Sequence, residues 1–196
     1  MKKILVASNN VGKLRELMAI LGDLPFEVVT PARMGLTLNV EETGTTYGEN
    51  ARLKAEAFGA ASGLLTLADD SGLEVDALGG APGVHSARYA GEGASDADRR
   101  AKLLAALTGV PAPRTARFRA VIIVRMVDGR LVDFEGVCPG EIAFQARGQG
   151  GFGYDPIFYL PEHQATMAEL PEALKNQVSH RGRAVTLARG VLESLA

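Results

Sequence analysis

The sequence predicts an α/β fold, and three observations predict it. A short buried strand passes through a polar loop directly into a helix near the N-terminus. A second buried strand, Leu64-Leu65-Thr66-Leu67-Ala68, ends in Asp69-Asp70-Ser71-Gly72. A long alternating stretch from Arg117 to Val127 then meets the turn signal Asp128-Gly129 and returns as an antiparallel partner.

In the first unit, Lys3-Ile4-Leu5-Val6-Ala7 reads as a strand. Leu14, Leu17, Met18 and Leu21 recur at helical spacing, and Gly22 closes the helix. The loop between them is Ser8-Asn9-Asn10-Val11-Gly12-Lys13. The free N–H groups and dipole of a helix start favour an anion, and Lys13 adds a full positive charge there. Without an anion, a cation at that position costs the helix roughly 0.3–1 kcal/mol. The Walker A spacing is absent, so an ordinary polar loop remains the bland alternative.

Phe26-Glu27-Val28-Val29 is a second strand. Residues 31–40 are irregular and lead to Glu41-Glu42-Thr43-Gly44. Thr46 and Glu49 form a capping box for a helix that runs to about Ser62 and stops at Gly63. Its expected buried side is Leu53, Ala57 and Ala61, with Lys54 outside that stripe. The pair Asp69-Asp70 falls where open α/β sheets bind ligands, beyond a strand's carboxyl end. Adjacent carboxylates stay ionised cheaply only beside a cation, and oxygen ligands suit Mg²⁺. Glu41 is the candidate third carboxylate; a plain Asp-Asp-Ser-Gly turn is the alternative.

Leu78 to Gly93 is a long loop holding His85, Arg88 and Tyr89. Ser95 with Asp98 caps a helix containing Leu103, Leu104 and Leu107. The hairpin 117–137 is expected to supply most of a second lobe, roughly 112–147, within a single domain of 1–196. Gly148-Gln149-Gly150-Gly151-Phe152-Gly153 fits G-x-G-x-x-G, but no helix follows it, which excludes the dinucleotide reading. Glycines around a ring, followed by Asp155, suit a flat heterocycle instead. Residues 171–176 form a short helical turn. The last helix carries the stripe Ala184, Ala188, Val191, Leu192 and Leu195, and its first turn holds His180, Arg181 and Arg183. Cations there oppose the dipole, a local conflict that functional sites tolerate.

Composition bounds the function. The chain has 196 residues, a net charge of −2 and 46% hydrophobic residues, enough for a sizeable core. That charge does not suggest a nucleic-acid or membrane partner. The lone Cys138 excludes an internal disulfide and a multi-cysteine metal site. No apolar run suits a signal peptide or a membrane span, so a cytoplasmic protein is expected.

Taken together, Ser8–Lys13, Leu67–Leu73, Gly151–Pro156 and Ser179–Ala184, with Lys175-Asn176 and Ala87–Gly91, resemble the inosine triphosphate pyrophosphatase family (Ham1-like). The resemblance covers nearly the whole chain. It implies two lobes around a long bent mixed β-sheet flanked by helices, an active-site cleft between the lobes, and a homodimer. It implies Mg²⁺-dependent hydrolysis of ITP, dITP and XTP to the monophosphate and pyrophosphate. By the same resemblance, Ser8, Asn9, Asn10, Val11, Gly12, Lys13 and Lys54 hold the triphosphate. Glu41 and Asp70 bind metal, Asp69 supports them, and Asp70 accepts a proton. Ser71 lies at the substrate, Phe152 stacks on the base, and Gly153, Tyr154, Asp155, Lys175, His180 and Arg181 complete the pocket. Two rival readings are a Maf-like pyrimidine triphosphate pyrophosphatase in a similar fold and a nucleotide-binding regulator without turnover. Ser179-His180-Arg181 argues against the first, and an acidic cluster beside phosphates against the second.

Overall fold

A computed structural model describes all residues, 1–196. One seven-stranded sheet has the order β2-β1-β3-β4-β5-β6-β7. The strands are β1 (Lys2–Val6), β2 (Phe26–Val29), β3 (Leu65–Val75), β4 (Thr115–Arg125), β5 (Leu131–Ile142), β6 (Phe158–Leu160) and β7 (Ala165–Thr166). The helices are α1 (Val11–Leu21), α2 (Tyr47–Ser62), α3 (Asp96–Ala106), α4 (Glu172–Val178) and α5 (His180–Leu195). β1 pairs in parallel with β2 and β3, whereas β6 is antiparallel to β5 and β7. The sheet is therefore mixed. No helix is long and apolar enough to cross a membrane.

Two compact units divide the chain. Unit 1 comprises Met1–Asp70, Ala120–Gly136 and His180–Ala196; unit 2 comprises Ser71–Arg119 and Val137–Ser179. The hairpin, expected to lie in a second lobe, is thus divided: Ala120–Gly136 clusters with unit 1.

In unit 1, alternation along the strands sends side chains to two cores. Ile4, Val6, Leu65 and Leu67 pack with Leu17 and Leu21 of α1 and with Ala184, Ala188 and Leu192 of α5. Leu5, Ala7 and Ala68 pack with Ala51, Ala55 and Phe58 of α2. Helices thus cover both faces of these strands. In unit 2, Leu73 and Val75 join Leu103 of α3, Leu107 at its C-cap, Phe118, Phe158 and Met167.

Two expectations need correction. The buried side of α2 is Tyr47, Asn50, Ala51, Lys54, Ala55, Phe58 and Gly59, not Leu53, Ala57 and Ala61. Small residues let α2 approach the sheet, and that approach carries Lys54 and Asn50 inward with it. Second, Asp69-Asp70-Ser71-Gly72 is no turn: β3 runs through it from Leu65 to Val75. What ends there is the pairing with β1, whose last partners are Val6 and Leu67. The two acids follow at once, beyond the carboxyl end of β1.

Candidate active site

The acids lie at the start of α1. Asn10 is its N-cap, its side chain accepting from the Lys13 N–H at 3.0 Å, while Ser8 Oγ accepts from the Asn10 N–H at 3.2 Å. Asn9 reaches the Leu38 carbonyl at 3.5 Å. Val11 is exposed and Gly12 half-buried. This turn aims Lys13 at β3: its Nζ lies 2.8 Å from Asp69 Oδ2 and 3.9 Å from Asp70 Oδ1.

Lys54 arrives from α2. Its Nζ donates to Glu42 Oε1 at 2.9 Å and to Asp70 Oδ1 at 3.2 Å. Burial alone would lower the Lys54 pKa, but Asp70 and Glu42 outweigh it and hold the amine charged. Asn50, one turn earlier on the same face, donates to Asp70 Oδ2 at 3.4 Å and accepts from the Gly44 N–H at 2.8 Å. That contact ties the loop carrying Glu42 to α2. It needs glycine: a Cβ at position 44 would stand 2.6 Å from the Glu49 Cβ.

The adjacent carboxylates are set in opposite directions. Burial pushes Asp69 up, but Arg181 and then Lys13 overcome it and hold it well below the usual carboxylate range. Burial also pushes Asp70 up; Lys54 and Lys13 only partly offset this, so its pKa stays above the ordinary value. Arg181 is 2% exposed. Its guanidinium bonds Glu16 through Nη1 and reaches Asp69 Oδ2 through Nη2 at 3.5 Å. His180, also buried, precedes it at the start of α5.

Glu41 is exposed. The acid brought to Lys54 and Asp70 is its neighbour Glu42. Nowhere in the chain do three or more His, Cys, Asp or Glu side chains gather as a metal site. The donor set still fits a hard divalent cation, which takes one or two carboxylates and completes its shell with water and phosphate. Glu42 Oε1 and Asp70 Oδ1 already share one cation, the Lys54 ammonium.

Unit 2 carries a second group. Asp155 Oδ2 accepts from the Phe152 N–H at 2.8 Å and pairs with the Lys175 ammonium, which lies 5.4 Å from the Phe152 ring centroid. Asp155 and Lys175 are both buried. Gly151, at φ +71°, admits this: a Cβ there would fall 2.0 Å from Asp155 Oδ2. Tyr154 donates to the Ser86 carbonyl at 2.9 Å, and burial raises its pKa. Gly153 has its N–H and C=O engaged by α3. Ser71 is half-buried in β3. No helix follows the glycine run; a 3₁₀ turn, Asp155–Ile157, leads into β6.

The arrangement missed in sequence consists of Glu16, Glu42 and Asn50. Asn50 and Lys54 left a usable signal: two polar residues four apart, in line with Ala51, Ala55 and Phe58, share one helix face.

The model of the Ham1 family matches residues 4–190. The chain belongs to the Ham1 family. It is 50% identical to the dITP/XTP pyrophosphatase of Desulforamulus reducens over 194 residues, 98% of this chain and 96% of that one. It is 52% identical to the dITP/XTP pyrophosphatase of Geobacter sulfurreducens over 188 residues, covering 95% and 94%. Among solved structures, a HAM1 protein from Coxiella burnetii superposes with a TM-score of 0.88 at 44% identity, covering 99% of this chain and all of that one. The Staphylococcus aureus Ham1 protein gives 0.87 at 45% identity, with both chains fully covered.

Proposed function

We propose that this Ham1-family protein hydrolyses non-standard purine nucleoside triphosphates, dITP, XTP and ITP, to the monophosphate and pyrophosphate, and so cleanses the nucleotide pool. The observation that carries the reading is the convergence of Lys13 and Lys54 on adjacent buried carboxylates at a helix N-terminus. Relatives about 50% identical over nearly their full length are named dITP/XTP pyrophosphatases. That naming counts against both a pyrimidine-specific enzyme and a regulator without turnover.

The residues divide the work. Lys13, Lys54 and the N–H groups opening α1 bind the triphosphate and stabilise charge on the departing pyrophosphate. Asp70, whose pKa burial keeps raised, orients the attacking water and takes its proton. Asp69, held ionised by Arg181 and Lys13, fixes Lys13 toward the phosphates. Glu42 and Asp70 would hold Mg²⁺, which neutralises phosphate charge and acidifies bound water when present. Exposed Glu41 is its alternative ligand from sequence. No nucleophilic side chain paired with a base stands at these acids, which favours direct attack by water; the family resemblance, with Lys13 and Lys54 holding the leaving group, points to the α-phosphorus.

Phe152 is the platform on which the base stacks, set by Asp155 and Lys175. His180 and the N–H groups opening α5 supply donors for a 6-oxo purine; Arg181, committed to Glu16 and Asp69, acts through Asp69. The resemblance further implies a homodimer, which analytical ultracentrifugation tests. The activity is tested with a triphosphate panel in Mg²⁺, assayed for phosphate with and without added inorganic pyrophosphatase. Phosphate that appears only with the added enzyme, from ITP and XTP but not ATP, is the expected result. In ¹⁸O water, label in pyrophosphate rather than in the monophosphate would overturn attack at the α-phosphorus.

A further inference from the structure

Gly153, beside the Phe152 platform, is gripped at both of its backbone polar groups by one turn of α3. Its N–H donates to Asp96 Oδ2 at 2.7 Å, and its C=O accepts from Arg100 Nη1 at 2.8 Å. Asp96 and Arg100 are four apart and so share a helix face. α3 is itself fixed. A Ser95–Asp98 capping box starts it, Leu103 is buried, and Arg99 donates to the carbonyls of Ala87 at 2.6 Å and Ala94 at 3.0 Å. Gly153 stands at φ +60°, and a Cβ there would meet nothing within 4 Å. No side chain of its own holds that conformation, and glycine samples both signs of φ freely. The grip from α3 limits that freedom. Asp155 fixes the other side through the Phe152 N–H.

We propose that Asp96 and Arg100 are positioning residues for nucleotide recognition: they hold Gly153 in its left-handed conformation and thereby set the Phe152 ring before the base arrives. The proposal rests on the reading of Phe152 as the stacking platform. Neither residue needs to touch the nucleotide. Their contribution is preorganisation, since a loop ordered only on binding takes its ordering cost from affinity. Asp96 is suited to a permanent grip. Burial pushes its carboxyl up, but Arg99 and the Gly153 N–H outweigh this and keep it ionised below the ordinary range.

Arg100 is the cleaner site to test, because Asp96 also opens the helix. Arg100→Leu removes the donor and keeps a good helix former; Arg100→Lys keeps a donor. Steady-state kinetics on ITP with Mg²⁺, and thermal melting, would be measured for both variants, for Phe152→Ala and for the Arg100→Leu/Phe152→Ala double variant. The expected result for Arg100→Leu is a KM raised about 3- to 10-fold with kcat kept within about twofold. Arg100→Lys should recover most of that loss. In the Phe152→Ala background, Arg100→Leu should change KM by less than about 1.5-fold, because coupled residues are not additive. An unchanged KM in Arg100→Leu overturns the proposal, as does an equal rise in both backgrounds. If Phe152→Ala itself leaves KM unchanged, the stacking platform fails and the proposal falls with it.

Discussion

Arg181→Ala separates a base-reading role for this side chain from the one its surroundings support. The guanidinium is buried between Glu16 and Asp69. Breaking a buried ion pair by removing one partner costs about 3–5 kcal/mol. Asp69 loses Arg181 as well but keeps Lys13 at 2.8 Å, so the cost belongs at the lower end. For a chain of this size, ~3 kcal/mol corresponds to a fall in Tm of roughly 6–12 °C. Replacing both ends with Glu16→Gln/Arg181→Met should recover at least half of the loss, because the carboxylate still facing the gap, Asp69, keeps its pairing with Lys13. Thermal and urea unfolding of the single and double variants measure this. The kinetic counterpart is kcat/KM for ITP and for ATP. Acting through Asp69, Arg181→Ala lowers both by the same factor. A Tm within about 2 °C of wild type would refute the structural reasoning, and a narrowed gap between ITP and ATP would make Arg181 a reader of the base.

Asp70→Asn should lower turnover by at least about 100-fold while the circular dichroism spectrum is unchanged; near-normal turnover at saturating Mg²⁺ would refute the general-base assignment. Lys13→Ala should raise KM for triphosphates far more than it weakens binding of the monophosphate product, and equal effects on the two would count against a phosphate contact. Chelating Mg²⁺ should weaken binding of an α,β-methylene triphosphate analogue in calorimetry, with little effect on the monophosphate. Glu74 should contribute to stability in a pH-dependent way. Burial pushes its carboxyl up, but Arg119 and Arg117 hold it below its ordinary 4.5, so its contribution is present above that value and is lost as pH falls through the folded pKa. Acid unfolding of Glu74→Gln should therefore show a flatter limb below pH 4.5, and an unchanged limb would refute it.

Much of the fold was legible because its signals are local. The strand from Lys3, the helix after Asn10, both capping boxes and the Asp128-Gly129 hairpin depend on neighbours within a few residues. The continuity of β3 was hidden: four turn-forming residues read as a stop, and the lysines that make an extended Asp-Asp tolerable come from other elements. The rotation of α2 was hidden because alanine and glycine give weak periodicity, while Leu53 drew the stripe to the wrong side. Glu41 and Glu42 could not be separated from sequence. In an extended segment neighbouring side chains point apart, and which one faces Lys54 depends on how Gly44 docks on α2. Lys13, Asp69 and Asp70 were visible because charge clustered beside short apolar runs needs an explanation. Glu16 was not, since an acid within a helix is ordinary until a buried arginine faces it.

Under the proposed function, the charges around Asp69 and Asp70 bear on where a cation would be held. Lys13, Lys54 and Arg181 stand against Glu16, Glu42, Asp69 and Asp70, three cations against four carboxylates. Each lysine is already engaged with these acids. A triphosphate bearing about four negative charges can attract the amines only by drawing them from carboxylates that then lie buried and exposed to one another's repulsion. Arg181 would limit the damage at Asp69, because it would stay behind when Lys13 turns to phosphate. Asp70 and Glu42 share Lys54, an amine the phosphates would claim. Glu42 and Asp70 would hold a divalent ion, which would supply charge where Lys54 gives it up, at the acid whose burial already disfavours its ionised form. Under the proposed function the lysines, resting counter-ions of the acids, would also serve as ligands for the substrate, and a metal at Asp70 rather than at Asp69 would offset that exchange.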